Sequence, residues 1–223
     1  EECRIKMKYL CIGAGSIGKR HMRNLLAMGV KSDDIAASDP RVDRLDEVKK
    51  IGISKVFKTY QAALESDDYD AAIICSPTNL HIQQGIALAK LGIHMLMEKP
   101  LAHNLDGIEE LKDLVERNNV VLLMAYIFRF SPLTAKVREL LASNVIGKVL
   151  FVRGEFSEYL PDWHPYEDYR SFYMAEKTQG GGSILDQSHI MDLVHYLFGG
   201  FKKVYALNGN ISTLEVNADD YSQ

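Results

Sequence analysis

The feature that most constrains this chain is a run of spaced glycines close to its start, Gly13-Ala-Gly15-Ser-Ile-Gly18. It follows an apolar run over 9–13 that reads as a buried strand, and it opens an amphipathic stretch over 16–28 that reads as a helix. In such a strand–turn–helix each glycine has its own job. The first permits the tight turn, the second lets the backbone approach a diphosphate, and the third lets the helix pack close to the strand. The helix start then offers unpaired N–H groups and the positive end of its dipole. Gly13, Gly15, Ser16, Ile17 and Gly18 are therefore the candidate dinucleotide-binding loop. Asp39 closes the next apolar run, 21 residues after Gly18, where a carboxylate takes the adenosine ribose hydroxyls. That charge repels a 2′-phosphate, so NAD is preferred over NADP. Arg41, two residues on, is open to two readings: a phosphate acceptor that admits NADP, or a solvated residue in the first turn of the next helix.

The alternation of apolar runs and amphipathic stretches continues to about residue 126. Strands are predicted at 35–38, 55–57, 70–75, 94–97 and 120–124, and helices at 41–51, 78–91 and 104–118, the last with Ile108, Leu111 and Val115 on one face. Near-continuous apolar strands separated by helices imply a parallel sheet covered on both faces. Right-handed crossovers make it a doubly wound α/β domain. Past residue 126 the pattern changes. Ser131-Pro132 opens a helix with an apolar stripe of Leu133, Val137, Leu140 and Leu141, and 149–158 is a long extended run. A polar, aromatic-rich loop covers 159–179, Gly180-Gly-Gly182 precedes a helix over 183–198 ended by Gly199-Gly200, and 202–207 reads as a further strand. Two domains are expected, 1–126 and 127–223.

Composition narrows the class. The 223 residues hold 26 Lys plus Arg against 30 Asp plus Glu, for a formal net charge of −4, with 47% apolar and 25% charged residues. These values exclude disordered, collagen-like and low-complexity chains. They leave no electrostatic footprint for nucleic acid or an anionic membrane surface. No run reaches the about 18 continuous apolar residues of a membrane span, and the charged start EECRIKM has no signal-peptide core after it. Met7 directly precedes the first strand, so residues 1–6 either lie upstream of the protein proper or belong to it. Cys3, Cys11 and Cys75 are odd in number, form no CxxC, and place two thiols in apolar runs. That suits free thiols in a reducing cytoplasm.

Three further segments follow the glycine loop in order: Ser76-Pro77 after the fourth strand, Glu98-Lys99-Pro100 after the fifth, and Gly180-Gly-Gly-Ser-Ile-Leu-Asp186-Gln-Ser-His189. This ordered set resembles the glucose–fructose oxidoreductase, inositol dehydrogenase and MocA family, over about residues 7–198. The resemblance implies NAD(P)-dependent oxidoreduction of sugars, inositols or related polyols. It also implies a Rossmann domain followed by an α+β domain whose large, mostly antiparallel sheet forms the substrate site and often the oligomer interface. It gives the acid/base role to the EKP lysine, here Lys99, and places an Asp and a His, here Asp186 and His189, beside the substrate hydroxyls. Many members separate those two by four residues; here the gap is three, and either spacing keeps them on one helix face. His189 is read as hydrogen-bonding or relaying a proton to the reacting oxygen, and Asp186 as binding a neighbouring hydroxyl or orienting the site. The plainer reading is a helix-capping Asp and a structural His.

The position of Lys99 supports this chemistry independently. It ends a strand on the ligand-binding edge of an open α/β sheet. Oxidising a secondary alcohol requires a base for the hydroxyl proton, and a tuned lysine supplies one. A cis bond before Pro100 would fix the direction of the lysine. Ser76, Pro77, Thr78 and Glu98 are assigned to the cofactor, with Thr78 or Asn79 capping the next helix and His81 read as a helix-surface residue. Arg129 is divided between a substrate or cofactor contact and a structural salt bridge. Trp163, His164 and Arg170 are the favoured substrate contacts of the aromatic loop. Asp186, His189, Asp192 and His195 recur every third residue, but each step of three drifts by about 60° on a helix, so the four do not converge on one ion and no metal is expected.

The reading is an NAD(P)-dependent oxidoreductase, soluble and cytoplasmic, acting on a small sugar-like substrate and not on nucleic acid or membrane. The loop from Trp163 to Arg170 looks like those of enzymes of surface-glycan or amino-sugar metabolism. Alternatives are an NAD-dependent glycoside hydrolase working by transient oxidation, and a cofactor-binding regulator without catalysis. The second domain is expected to be C-terminally truncated, with a homo-oligomer formed through its sheet where that sheet is complete.

Overall fold

The computed structural model describes residues 7–163 and 165–223; the candidate His164 lies outside the described residues. The chain divides into two compact units, one ending at Met124 and the other beginning at Ala125. In the first, strands β1 (Tyr9–Ile12), β2 (Ile35–Ser38), β3 (Lys55–Phe57), β4 (Ala71–Ile74), β5 (His94–Met97) and β6 (Leu122–Met124) form one sheet. All pairs are parallel and the order is β3-β2-β1-β4-β5-β6. The chain therefore reverses its direction of travel across the sheet between β1 and β4, the crevice where doubly wound sheets take ligands.

Side chains alternate between the two faces of each strand, and both faces are buried. Leu10, Ile12, Ala72 and Ile74 pack with Ala63 of α3 (Tyr60–Ser66), Leu88 and Ala89 of α4 (His81–Lys90) and Leu111 of α5 (Ile108–Arg117). Cys11, Ala37 and Ile73 pack on the other face with Met22 of α1 (Ser16–Ala27) and Val48 of α2 (Val42–Lys50). Helix α3 was not expected from the sequence: it is seven residues long and fully buries only Ala63, so it carries no apolar stripe. Its start is set by Thr59, whose side chain accepts the Ala62 N–H at 3.2 Å. Helix α5 starts four residues later than expected. Asn104 folds 104–106 into a turn by accepting the Asp106 N–H, and Gly107 leaves it in the left-handed region at φ +76°.

The second unit departs further from expectation. Helix α6 (Pro132–Ala142) is capped by Ser131, but it buries only Thr134, and Leu133 is 75% exposed, so its apolar stripe is not a core stripe. Residues 149–158 and 202–207 form no strand, and Leu150, Phe151 and Tyr205 are largely exposed. The sheet among the described residues is the antiparallel pair β7 (Asn208–Gly209) and β8 (Tyr221–Ser222). A strand needs a hydrogen-bonding neighbour as well as a suitable sequence, and in the 202–207 run such pairing is seen at Leu207, which exchanges two backbone hydrogen bonds with Gln223 at 2.8 Å beside β7 and β8. The single helix expected over 183–198 is broken at Gln187 into α7 (Ser183–Asp186) and α8 (Ser188–Phe198). No described helix is long and apolar enough to cross a membrane.

Candidate active site

The turn after β1 is built by two glycines that cannot be replaced without displacement. Gly13 has φ +98°, and a Cβ there would lie 2.5 Å from the Cys75 carbonyl oxygen. Its N–H donates to the Ser38 carbonyl at 2.8 Å, tying the turn to the end of β2. A Cβ on Gly18 would run into the Gly13 carbonyl, so α1 can lie against the turn only with glycine there. Gly15 is different. Its φ of −67° suits any residue, and the nearest group to a Cβ is the Arg44 guanidinium at 3.8 Å. The open side of Gly15 adjoins the start of α1, which has no side-chain cap and no acid in its first turn. Uncapped N–H groups beside an open glycine suit a dinucleotide diphosphate, and Gly15, Ser16, Ile17 and Gly18 are the candidate residues for it.

Asp39 is 3% exposed and its carboxylate serves the turn directly. It accepts the Ala14 N–H at 2.8 Å and the Arg41 N–H at 2.9 Å. Carboxylate oxygens have further lone pairs, so this group retains capacity for ribose hydroxyls. The nearby cation is Arg44, 3.6 Å from Asp39. The Arg41 guanidinium pairs with Asp43 instead, at 2.5 Å. Arg41 itself is the residue before α2, not part of its first turn.

The loops after β4 and β5 complete this edge. Ser76 Oγ donates to Gln84 Oε1 at 2.6 Å. Neither Thr78 nor Asn79 caps the following helix; a 3-10 turn, Thr78–Leu80, leads into α4 without a side-chain cap, and Thr78 is buried. His81 is not a surface residue: it is 1% exposed, with Nδ1 2.9 Å from the Pro100 carbonyl and Nε2 3.0 Å from the Ser76 carbonyl. Glu98 leaves β5 with its carboxylate 2.9 Å from His21 Nε2 of α1, and it also accepts the Lys99 N–H at 3.3 Å. The Lys99–Pro100 bond is cis, and Lys99 is half-buried.

In the second unit, Asp219 anchors the short helix that carries Asp186. Its carboxylate accepts from Ser183 Oγ at 2.7 Å and from the Ile184 N–H at 3.1 Å. Asp186 is buried and accepts from the Tyr173 hydroxyl and the Gln187 amide, each at 3.2 Å. It lines an open cavity of about 1140 Å³ together with Trp163. His189 lies beyond the break at Gln187, so the two residues stand on separate helices, α7 and α8, and not on the single helix expected. The His189 ring packs on Phe128 at 4.9 Å and against the Tyr126 ring at 5.8 Å. Arg129 forms a forked ion pair with Asp192, Nε lying 2.9 Å from Oδ2, which holds the guanidinium pKa above its usual value. Arg170 is exposed and pairs with Asp168 and Glu215.

Residues 7–126 match an oxidoreductase family model with an NAD-binding Rossmann fold, and residues 134–223 match the GFO/IDH/MocA C-terminal domain. The chain belongs to the GFO/IDH/MocA oxidoreductase family. Among its relatives in this family, the myo-inositol 2-dehydrogenase of Thermotoga maritima is 33% identical over 198 residues, covering 86% of this chain and 55% of its own. The D-xylose 1-dehydrogenase (NADP(+)) 2 of Haloferax volcanii is 33% identical over 181 residues, covering 81% and 52%. The solved WlbA dehydrogenase of Bordetella pertussis, in complex with NADH and UDP-GlcNAcA, shares the fold with a TM-score of 0.82 at 20% identity, over 98% of this chain and 62% of that one. The chain thus spans about half the length of the curated relatives it matches.

Within this GFO/IDH/MocA chain, the sequence did not single out Arg44 or His21, and it put the buried His81 on a helix surface. Arg44 sits one helical turn past the expected Arg41, and no local pattern distinguishes the two. His21 shows its role only once Glu98 is brought against α1. His81 did carry a signal, since its helix also buries Gly85, Leu88 and Ala89, three and four residues apart along one face.

Proposed function

We propose that the whole protein is an NAD(P)-dependent oxidoreductase that moves hydride between a nicotinamide cofactor and a carbinol or ketone carbon of a sugar, polyol or sugar derivative. The observation that carries this reading is one sheet edge holding both the open glycine turn after β1 and Lys99 after β5, joined through the Glu98–His21 contact. When bound, the nicotinamide supplies the hydride acceptor or donor. Lys99 takes the proton from the substrate hydroxyl during oxidation and returns it during reduction. Asp186, held by Tyr173, binds a neighbouring hydroxyl, and His189, held by Phe128 and Tyr126, hydrogen-bonds the reacting oxygen. The buried Asp39 carboxylate favours the ribose hydroxyls of NAD. The inositol and xylose dehydrogenases among the relatives support a polyol or sugar as substrate.

The free thiols Cys11 and Cys75 support a cytoplasmic setting. The exposed Leu150, Phe151 and Tyr205 of the second unit support a homo-oligomer of the whole protein. The test is a panel of inositols, aldoses and nucleotide-linked sugars followed at the nicotinamide absorbance, with NAD and NADP in parallel. Reduction of NAD by a polyol or sugar is expected. Conversion of a glycoside without net change in NADH would replace this reading with hydrolysis by transient oxidation.

A further inference from the structure

The 3-10 turn before α4 and the start of α4 carry three buried polar side chains. Thr78, His81 and Gln84 are 2%, 1% and 4% exposed. Gln84 takes the Ser76 hydroxyl, and His81 lies between two main-chain carbonyls, Pro100 on Nδ1 and Ser76 on Nε2. Those carbonyls belong to the loops after β5 and β4. One is in the residue next to Lys99, and the other opens the 76–78 segment read as a cofactor contact. A single ring therefore spans both loops at the edge where hydride transfer is proposed.

The chemistry of the contact is specific. A neutral imidazole has one N–H and an imidazolium has two. Two carbonyl acceptors call for two donors, so they favour the charged ring. Burial opposes that charge and prevails, leaving the His81 pKa below the ordinary histidine value. The charged groups facing the ring come from the segment after β5: Glu98, which favours the imidazolium, and Lys99, which disfavours it. Glu98 is in turn joined to His21 of α1.

We propose that His81 is a positioning residue for Lys99, its buried ring standing between the Lys99-Pro100 turn and the 76–78 loop and donating the single N–H of its neutral form from Nδ1 to the Pro100 carbonyl. The proposal rests on the reading of Lys99 as the acid/base. It predicts that the two ring nitrogens are not equivalent, because the neutral ring has one N–H to give. An asparagine amide nitrogen falls near the Nδ1 position, and a glutamine amide nitrogen near Nε2. His81→Asn therefore keeps a donor at the Pro100 carbonyl, and His81→Gln moves it to the Ser76 carbonyl.

The test compares these two variants and His81→Leu in the full-length protein. His81→Gln is expected to lower kcat about tenfold or more, as a misplaced reacting group does, with the NADH dissociation constant unchanged. His81→Asn is expected to retain several-fold more kcat than His81→Gln, because it keeps a donor at Pro100. His81→Leu is expected to lose at least as much kcat as His81→Gln. A readout without turnover is the acetic anhydride labelling rate of the Lys99 ammonium, measured by peptide mass spectrometry. It should change in His81→Gln and His81→Leu and stay at the wild-type rate in His81→Asn. If the Asn and Gln variants match each other in kcat and in Lys99 labelling, the proposal is wrong. Lys99→Ala keeps the two readings apart: full turnover in that variant removes the acid/base role of Lys99, while the labelling pattern still decides whether His81 positions the turn.

Discussion

The Asp39 carboxylate accepts the Ala14 backbone N–H at 2.8 Å, so the residue expected to hold the ribose also builds the turn that holds the diphosphate. Its second oxygen accepts the Arg41 N–H at 2.9 Å. Both bonds are to a buried carboxylate, so removing one acceptor leaves a desolvated N–H without a partner. Asp39→Asn has only one acceptor oxygen. It should cost about 1–3 kcal/mol in urea unfolding and weaken NADH binding in fluorescence titration. An unchanged unfolding midpoint would show that the Asp39–Ala14 bond does not hold the turn.

Two glycines of the turn, Gly18 and Gly15, should separate by readout. Gly18→Ala forces its methyl into the Gly13 carbonyl, so it should lower thermal stability. Gly15→Ala meets only the Arg44 guanidinium at ordinary contact distance, so its melting temperature should stay at the wild-type value while NADH affinity falls. Calorimetry and a binding titration on the same two samples check the split. Equal melting temperatures would contradict the packing role given to Gly18.

Cofactor choice should respond to Arg44 more than to Arg41. Arg44 stands 3.6 Å from Asp39 and beside Gly15, whereas Arg41 is paired with Asp43 and half exposed. Arg44→Ala is expected to weaken NADP binding about tenfold, the worth of one charge-assisted hydrogen bond. Arg41→Ala should leave it nearly unchanged. The reverse order in paired titrations with NAD and NADP would return the role to Arg41.

His81 should leave a mark on acid stability. Burial lowers its folded pKa below the ordinary histidine value, so the unfolded chain takes up the proton first. Stability is then fully present above the ordinary value and is lost as pH falls through it toward the folded value. Urea midpoints measured at about pH 7.5 and 5.5, on either side of the ordinary histidine pKa, should drop more in wild type than in His81→Asn. Identical drops would mean that His81 does not titrate differently in the two states.

The first unit was largely legible because its strands are buried on both faces and bounded by turn residues. Ile35–Ser38, Lys55–Phe57 and His94–Met97 appear with the bounds expected of them. Burial is also what hid α3, whose seven residues contribute one fully buried alanine. In the second unit, apolar content misled. Runs such as 202–207 look like strands by composition, but a strand is a property of a pair, and a single run of sequence does not name its neighbour. The glycine turn, Asp39 and the Glu98-Lys99-Pro100 segment stood out because each lies at a strand end with a distinctive residue set. Arg44, His21 and the double contact of His81 did not, because each depends on a partner distant in sequence: Gly15, Glu98 and Pro100 respectively.

The central claim is that Lys99 exchanges the substrate proton at a nicotinamide-dependent site. The most direct measurement is kcat/KM of Lys99→Ala on a polyol that the wild-type protein oxidises, followed at the nicotinamide absorbance with and without added methylamine. The account predicts a loss of about 10²–10⁴-fold, the range of general acid–base catalysis, with NADH affinity retained and part of the rate restored by the amine. Undiminished turnover in Lys99→Ala would contradict it.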